Sequence, residues 1–177
     1  MNYTVVRSDR RTLSLQITPA GEIVVRCPRR FPAEEIRKFV AEKEPWLRRH
    51  LENRPAAGPE FTREDLEILR EEAKYDLPRR AARFAPLVGV DYGRITLRCQ
   101  KSRWGSCSAQ GNLNFNCLLM LAPEEVRDYV VVHELCHRRQ MNHSPRFWAE
   151  VAKILPDYES RRAWLKEQGN ALIARLP

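Results

Sequence analysis

Apolar and polar positions alternate through "TLSLQIT", where Leu13, Leu15 and Ile17 stand against polar neighbours, and this period of two predicts a strand. "TPAGE" supplies a Pro/Gly turn and "IVVRC" a second strand, so residues 3–27 read as a β-hairpin or small meander preceded by a strand at "YTVV". From Pro32 the period changes. Ile36, Phe39, Val40, Trp46, Leu47 and Leu51 follow helical spacing, with Glu34 and Glu35 near the positive end of the dipole. Pro45 is expected to kink or divide that helix. "NRPAAGPE", with two prolines and a glycine, marks a linker. The expected organisation is an N-terminal subdomain over residues 1–52, a linker over 53–60 and a core over 61–177.

In the core, Thr62 with Asp65 three positions on signals the start of a helix through "REDLEILREEAKYDLPRRAARFAPLV", expected to be interrupted near Pro78. "GRITLRCQ" alternates Ile95, Leu97 and Cys99, and "GNLNFNCLLML" alternates Leu113, Phe115 and Cys117. With "SCSAQGN" turning between them, the two strands are expected to form an antiparallel hairpin. "APEEVRDYVVVHELCHRRQM" opens on Pro123 and two glutamates and closes on Arg138 and Arg139, the start and stop signals of a helix. Its centre is apolar on nearly every side, which predicts burial.

That helix carries the chemistry. His133 and His137 are four residues apart, so both lie on one face, one turn from each other. With Glu134 between them they form H-E-x-x-H: two imidazoles to hold a metal, and a carboxylate to take a proton from a water that the metal has made acidic. A five-residue match of this kind also arises by chance. Here it falls on a buried helix, and His143 follows six residues after His137. A continuous helix would carry His143 to the wrong face. Asn142 suits a left-handed C-terminal cap, while Ser144 and Pro145 suit the N-cap and first position of a new helix, "PRFWAEVAKIL". His143 then sits in the joint and can swing back. Three imidazoles leave the fourth tetrahedral position open, the arrangement of a catalytic zinc site. Nickel or cobalt would be acceptable substitutes.

Other side chains have plainer roles. Cys136 stands about 100° off the face of His137 and reads as a small buried hydrophobe. Phe147, Trp148 and Ile154 read as core beneath the metal, and His50 as a surface residue.

Composition narrows the class. The 177 residues are 43% hydrophobic and 31% charged, an ordinary globular balance. No apolar run is long enough to span a bilayer. The N-terminus shows no export signal, so a cytoplasmic location is expected. Five cysteines without C-x-x-C spacing argue against a disulfide framework and against a four-cysteine zinc site. The formal charge of +8 can attract nucleic acid or acidic proteins, but acidic residues are interleaved with the basic ones and nucleic-acid binding is not favoured.

"KSRWGSC", "HELCH" and "NHSPRFW" together closely resemble the YgjP-like metallopeptidases, relatives of the SprT-like and Wss1-like zincins. The resemblance implies an α+β, zincin-like (minigluzincin-like) catalytic core: a small antiparallel sheet against an active-site helix, here beside an N-terminal hairpin-plus-helix subdomain. It also implies His133, His137 and His143 as metal ligands and Glu134 as catalytic glutamate. In zincins an edge strand above the cleft binds extended substrate through its backbone. The stretch from Lys101 to Cys107 is therefore expected to border the cleft, with Gly105 allowing close backbone approach. Arg103, Trp104 and Gly105 are candidate substrate-binding residues. Arg103 suits an oxyanion, a substrate carboxylate or a structural salt bridge, and Trp104 suits a core anchor.

The expected activity is zinc-dependent hydrolysis of peptide bonds in a peptide or protein substrate, with Glu134 as general base. Two rivals are a protease acting on DNA-bound proteins, as in SprT-like relatives, and a non-catalytic metal-binding scaffold. The oligomeric state is left open.

Overall fold

A computed structural model of the chain describes residues 1–18, 21–52 and 58–177, and the chain divides into two units, Met1–Ala56 and Ala57–Pro177. Most of the expected linker, residues 53–57, lies outside the described residues, as do Pro19 and Ala20 of the first turn.

In the first unit, β1 (Thr4–Ser8), β2 (Ser14–Ile17) and β3 (Ile23–Pro28) form a sheet in the order β1-β3-β2. β2 and β3 are the expected antiparallel hairpin, with Leu15 opposite Val25 and Ile17 opposite Ile23. β1 does not continue a meander. It pairs parallel to β3, Thr4 beside Val24. The near-continuous apolar run of β3 suits a central strand, whereas the alternation of β2 suits an edge. Ile23, Val25 and Cys27 pack on Ile36, Val40 and Leu47 from α1 (Ala33–Glu42) and α2 (Glu44–Glu52). The division falls at Lys43, so Pro45 occupies the first turn of α2, where its missing N–H leaves no bond unmade.

The second unit opens on α3 (Arg63–Val88), whose capping box is complete: Asp65 N–H donates to Thr62 Oγ1 at 3.1 Å and Thr62 N–H donates to Asp65 Oδ2 at 2.8 Å. Pro78 does not interrupt the helix, contrary to expectation. An interior proline costs about 3 kcal/mol. Leu69, Leu77, Phe84 and Val88 bury one stripe of α3, each burial contributing about 1.5–3 kcal/mol, so packing outweighs the proline. Arg80 adds an ionic tie to the next long helix, donating to Asp76 Oδ2 at 2.6 Å and to Asp128.

β4 (Ile95–Arg98), β5 (Gly105–Cys107) and β6 (Leu113–Asn116) form the second sheet, in the order β4-β6-β5. Here the expected hairpin is corrected. β4 runs parallel to β6, with Leu97 beside Phe115, and the antiparallel partner of β6 is the short β5, with Gly105 opposite Phe115. The crossover between β4 and β6 therefore contains a strand of its own. The cysteines are corrected as well. Cys99 and Cys117 are disulfide-bonded, their Cα atoms 5.5 Å apart, because they extend the β4–β6 register one residue past the Arg98–Asn116 pair. Cys27, Cys107 and Cys136 are free.

A buried 3-10 turn, Cys117–Leu121, leads into α4 (Glu124–Cys136), followed by α5 (Pro145–Ile154) and α6 (Tyr158–Ile173). Pro123 is the residue before α4 and not its first, one position from the sequence reading. α4 is the spine of the core: Val131, Val132 and Leu135 are fully buried in the cluster they share with α3, β6 and the C-terminal helices. No helix among the described residues is long and apolar enough to cross a membrane.

Candidate metal centre

α4 brings His133, Glu134 and His137 to its C-terminal end, with His137 itself as the C-cap. The chain then turns tightly. Arg138 N–H donates to Leu135 O and Arg139 N–H to Cys136 O, at 3.0 and 2.9 Å. This turn needs no left-handed residue, since the positive φ angles among the described residues are all at glycines, so the left-handed cap expected at Asn142 is not formed. Ser144 stands at the N-cap of α5 without a side-chain bond, and Pro145 opens the helix. The two arginines read from sequence as stop signals are anchors in space: Arg139 Nε donates to Val88 O at 2.8 Å and Arg138 Nε to Asp91 O at 3.0 Å. They tie the turn to the end of α3.

The turn has two consequences for the imidazoles. It sets Gln140 O 3.0 Å from His137 Nδ1, which makes that nitrogen the N–H donor and leaves the Nε2 lone pair free. It also returns His143, whose Nε2 lies 2.9 Å from Nε2 of His133. The ligand atoms of His133, His137 and His143 all lie within 4.8 Å of one another. Bonds of about 2.0–2.1 Å to a tetrahedral zinc place neighbouring nitrogens about 3.4 Å apart, so the cluster has the dimensions to close on one ion. Cys136 is fully buried and stands outside the cluster. His50 is exposed in the first unit, its Nδ1 2.8 Å from Trp46 O.

The electrostatics suit a cation. Burial, with the neighbouring His137 and His143 charges, pushes His133 down to about 3, and burial lowers His137 against the opposing pull of Gln140 O. Both rings favour the neutral form that binds metal. Nδ1 of His133 is buried without a hydrogen-bond partner, so that ring meets its polar neighbours through Nε2. Glu134 is only 4% exposed, and burial pushes its carboxyl up to about 8 while the charge of Arg103 works in the opposite direction. Beneath the cluster Phe147 is fully buried, stacked on His137 at 4.6 Å and edge-on to His133 and His143 at 4.8 and 4.9 Å. Trp148 stacks on His143 at 5.7 Å.

Above the cluster, Gly105, Ser106 and Cys107 of β5 share a cleft of about 220 Å³ with Glu134, the histidines and Met141. The C-terminal part of the Lys101–Cys107 stretch thus borders the cleft. The residues before it lie elsewhere. Trp104 is partly buried in the core against Gly169 of α6, whose missing Cβ would come within 2.8 Å of its ring. Arg103 is exposed, and its side chain has no ion pair among the described residues. A larger hollow, about 520 Å³ at the end of α3, offers Asp91 and Tyr92 but none of the histidines. The three-histidine cluster lines the smaller cleft.

Two contributors escaped the sequence reading. Met141 enters the cleft as an exposed apolar side chain. Asn116, fully buried, donates through Nδ2 to Gln100 O at 2.8 Å and Arg103 O at 3.1 Å, and its Oδ1 accepts from Leu118 N–H at 3.1 Å. It clamps the loop that delivers β5. The signal available was a polar residue inside the apolar run "NFNCLLML".

The family described as "YgjP-like, metallopeptidase domain" matches residues 11–67 and 58–168. No curated protein matches the chain. Among solved structures, the chain is similar to the metallopeptidase zymogen of Pyrococcus abyssi abylysin, with 23% identity and a TM-score of 0.47, covering 52% of this chain and 95% of that one. It is also similar to the metallopeptidase zymogen of Methanocaldococcus jannaschii jannalysin, with 21% identity and a TM-score of 0.44, covering 51% of this chain and 91% of that one. With the family spanning most of its length and a three-histidine cluster beside a buried carboxylate, the chain belongs to the YgjP-like metallopeptidases and is a metal-dependent peptide hydrolase.

Proposed function

We propose that the protein hydrolyses peptide bonds with zinc held by Nε2 of His133, His137 and His143 and with Glu134 as general base. The observation that carries this reading is the shared cleft: the Glu134 carboxylate, almost wholly buried, opens into the same 220 Å³ space as the three imidazoles. The metal, when bound, supplies a Lewis acid that brings the pKa of water to about 7. Glu134 takes the proton from the attacking water and carries it to the nitrogen of the leaving amine. Phe147 seals the floor against bulk water.

Substrate lies along β5. This strand is at the edge of the sheet order β4-β6-β5, so its outer backbone groups are open to an extended peptide among the described residues. Recognition through the backbone predicts loose sequence preference. Arg103, exposed and before β5 in the same stretch, is the candidate to meet a substrate carboxylate or the developing oxyanion, a reading supported by the pull of its charge on Glu134.

The test is Glu134→Gln, which keeps the side chain's shape and removes its basicity. Zinc content is expected to stay at one per chain while kcat falls by about two to four orders of magnitude. Full activity in this variant rules out Glu134 as the base, and loss of the metal makes it a ligand.

A further inference from the structure

β5 presents its backbone to the cleft, but its first residue has a second relationship. A Cβ built on Gly105 would stand 2.5 Å from Oε1 of Glu134, 2.7 Å from its Cγ and 2.9 Å from its Cδ. Real Cβ atoms essentially never approach another heavy atom closer than 3.0 Å, and all three nearest atoms belong to this one side chain. The glycine is not demanded by its backbone, because the positive φ angles among the described residues are at Gly21, Gly89 and Gly111. Nor is it demanded by sheet pairing. Its partner across β6 is Phe115, and the next two positions of β5 carry the side chains of Ser106 and Cys107. What remains is the volume it leaves empty.

That volume matters because, among the described residues, no hydrogen bond or ion pair fixes the end of the Glu134 side chain; burial and the charge of Arg103 are the influences on it. α4 holds the Cα, and the far end rests between α4 and β5.

We propose that Gly105 is a positioning residue for catalysis: the vacant Cβ place on β5 is the slot that seats the Glu134 carboxylate in the cleft. The proposal rests on Glu134 being the base. It differs from a role for Gly105 in admitting the substrate backbone, because the atoms that fill the space belong to the enzyme. An alanine at 105 must push the carboxylate away by at least 0.5 Å, the difference between 3.0 and 2.5 Å. Misplacement of a reacting group by about 1 Å costs on the order of 100-fold in rate. The N–H and C=O groups of β5 are unchanged by the substitution, and the three imidazoles are untouched.

The experiment compares zinc-loaded full-length parent, Gly105→Ala, Glu134→Ala, Glu134→Gln and the double variant Gly105→Ala/Glu134→Ala. Zinc stoichiometry, the visible spectrum of the cobalt-substituted form, thermal stability, and kcat and KM on an unfolded protein substrate are measured. Gly105→Ala is expected to keep one metal and an unchanged cobalt spectrum, to lower kcat by about 10- to 100-fold, and to leave KM within about twofold. It should also lower the melting temperature in the parent but not in the Glu134→Ala background, where the clashing atoms are gone. The stability arm reads the same contact even if Gly105→Ala folds too poorly for kinetics. The proposal is overturned by a parent-like kcat in Gly105→Ala, by a change confined to KM, or by an equal loss of stability in both backgrounds. Failure of the underlying reading is seen separately, as full activity in Glu134→Gln.

Discussion

Nε2 of His143 lies 2.9 Å from Nε2 of His133, although the residues are ten apart and α4 has ended between them. Two ring nitrogens at that distance are held by the Arg138–Gln140 turn and by Phe147 beneath them, and a cation drawing on both lone pairs would tie the end of α4 to the start of α5. His143→Ala is expected to weaken zinc binding by more than the roughly 10- to 100-fold cost of losing an outer-shell partner. Competition against a chromophoric chelator measures this. Stripping the metal from the parent should lower its melting temperature and speed amide exchange across the joint, since binding couples to folding. Unchanged affinity in His143→Ala would remove it from the ligand set.

Phe147 is fully buried and touches all three imidazoles. Phe147→Ala opens a cavity under the cluster and is expected to destabilise the protein by about 3–5 kcal/mol in chemical denaturation. Phe147→Leu keeps most of the volume and loses the flat face on His137. Its expected signature is a smaller loss of stability with a clear loss of zinc affinity. Parent-like affinity in the leucine variant would reduce Phe147 to packing alone.

The Cys99–Cys117 bond closes a short loop around β5 and β6, with a sequence separation of 18. A loop of this size contributes about 3 kcal/mol through the unfolded chain. Oxidised parent should therefore lose roughly that much stability when reductant is added, whereas Cys99→Ala should be insensitive to reductant. Thiol counting on the denatured protein gives the pairing directly: three reactive thiols before reduction, five after. Equal stability of the parent with and without reductant would contradict the bond's contribution.

Asp65 carries a pH signature. The backbone N–H and then the hydroxyl of Thr62 hold its carboxyl below the ordinary aspartate range. A depressed folded-state pKa stabilises the fold above the unfolded value, about 3.9, and that contribution is lost as pH falls through the lower folded value. Thermal melts of parent and Asp65→Ala should therefore differ at neutral pH and converge in acid. A difference that grows toward acid would reverse the sign and refute the account.

Helix-borne chemistry was legible because it is local. His133 and His137 share a face by helical periodicity alone, with Glu134 beside the first, and "NHSPRFW" announces a joint that lets His143 return. The joint was read correctly in place and wrongly in kind. Asn142 has the chemistry of a left-handed cap, but Arg138 and Arg139 reach carbonyls 47 and 51 residues back along the chain and set the turn before Asn142 is reached. The division before Pro45 was equally readable, while Pro78 was misjudged because the packing that outweighs it comes from other elements.

The sheet was the opposite case. Strands of three or four residues carry an alternation but no record of their partner, and β4 pairs parallel with β6 across a crossover in which β5 is embedded. From that pairing follow the contact of Cys99 with Cys117, the clamp of Asn116 on the loop, and the approach of Gly105 to Glu134. Each joins residues separated by 13 to 29 positions, which makes them products of tertiary packing. Periodicity is a property of neighbours along the chain and specifies which face a side chain occupies. It is silent on what lies across from that face, and there the shape of the site is decided.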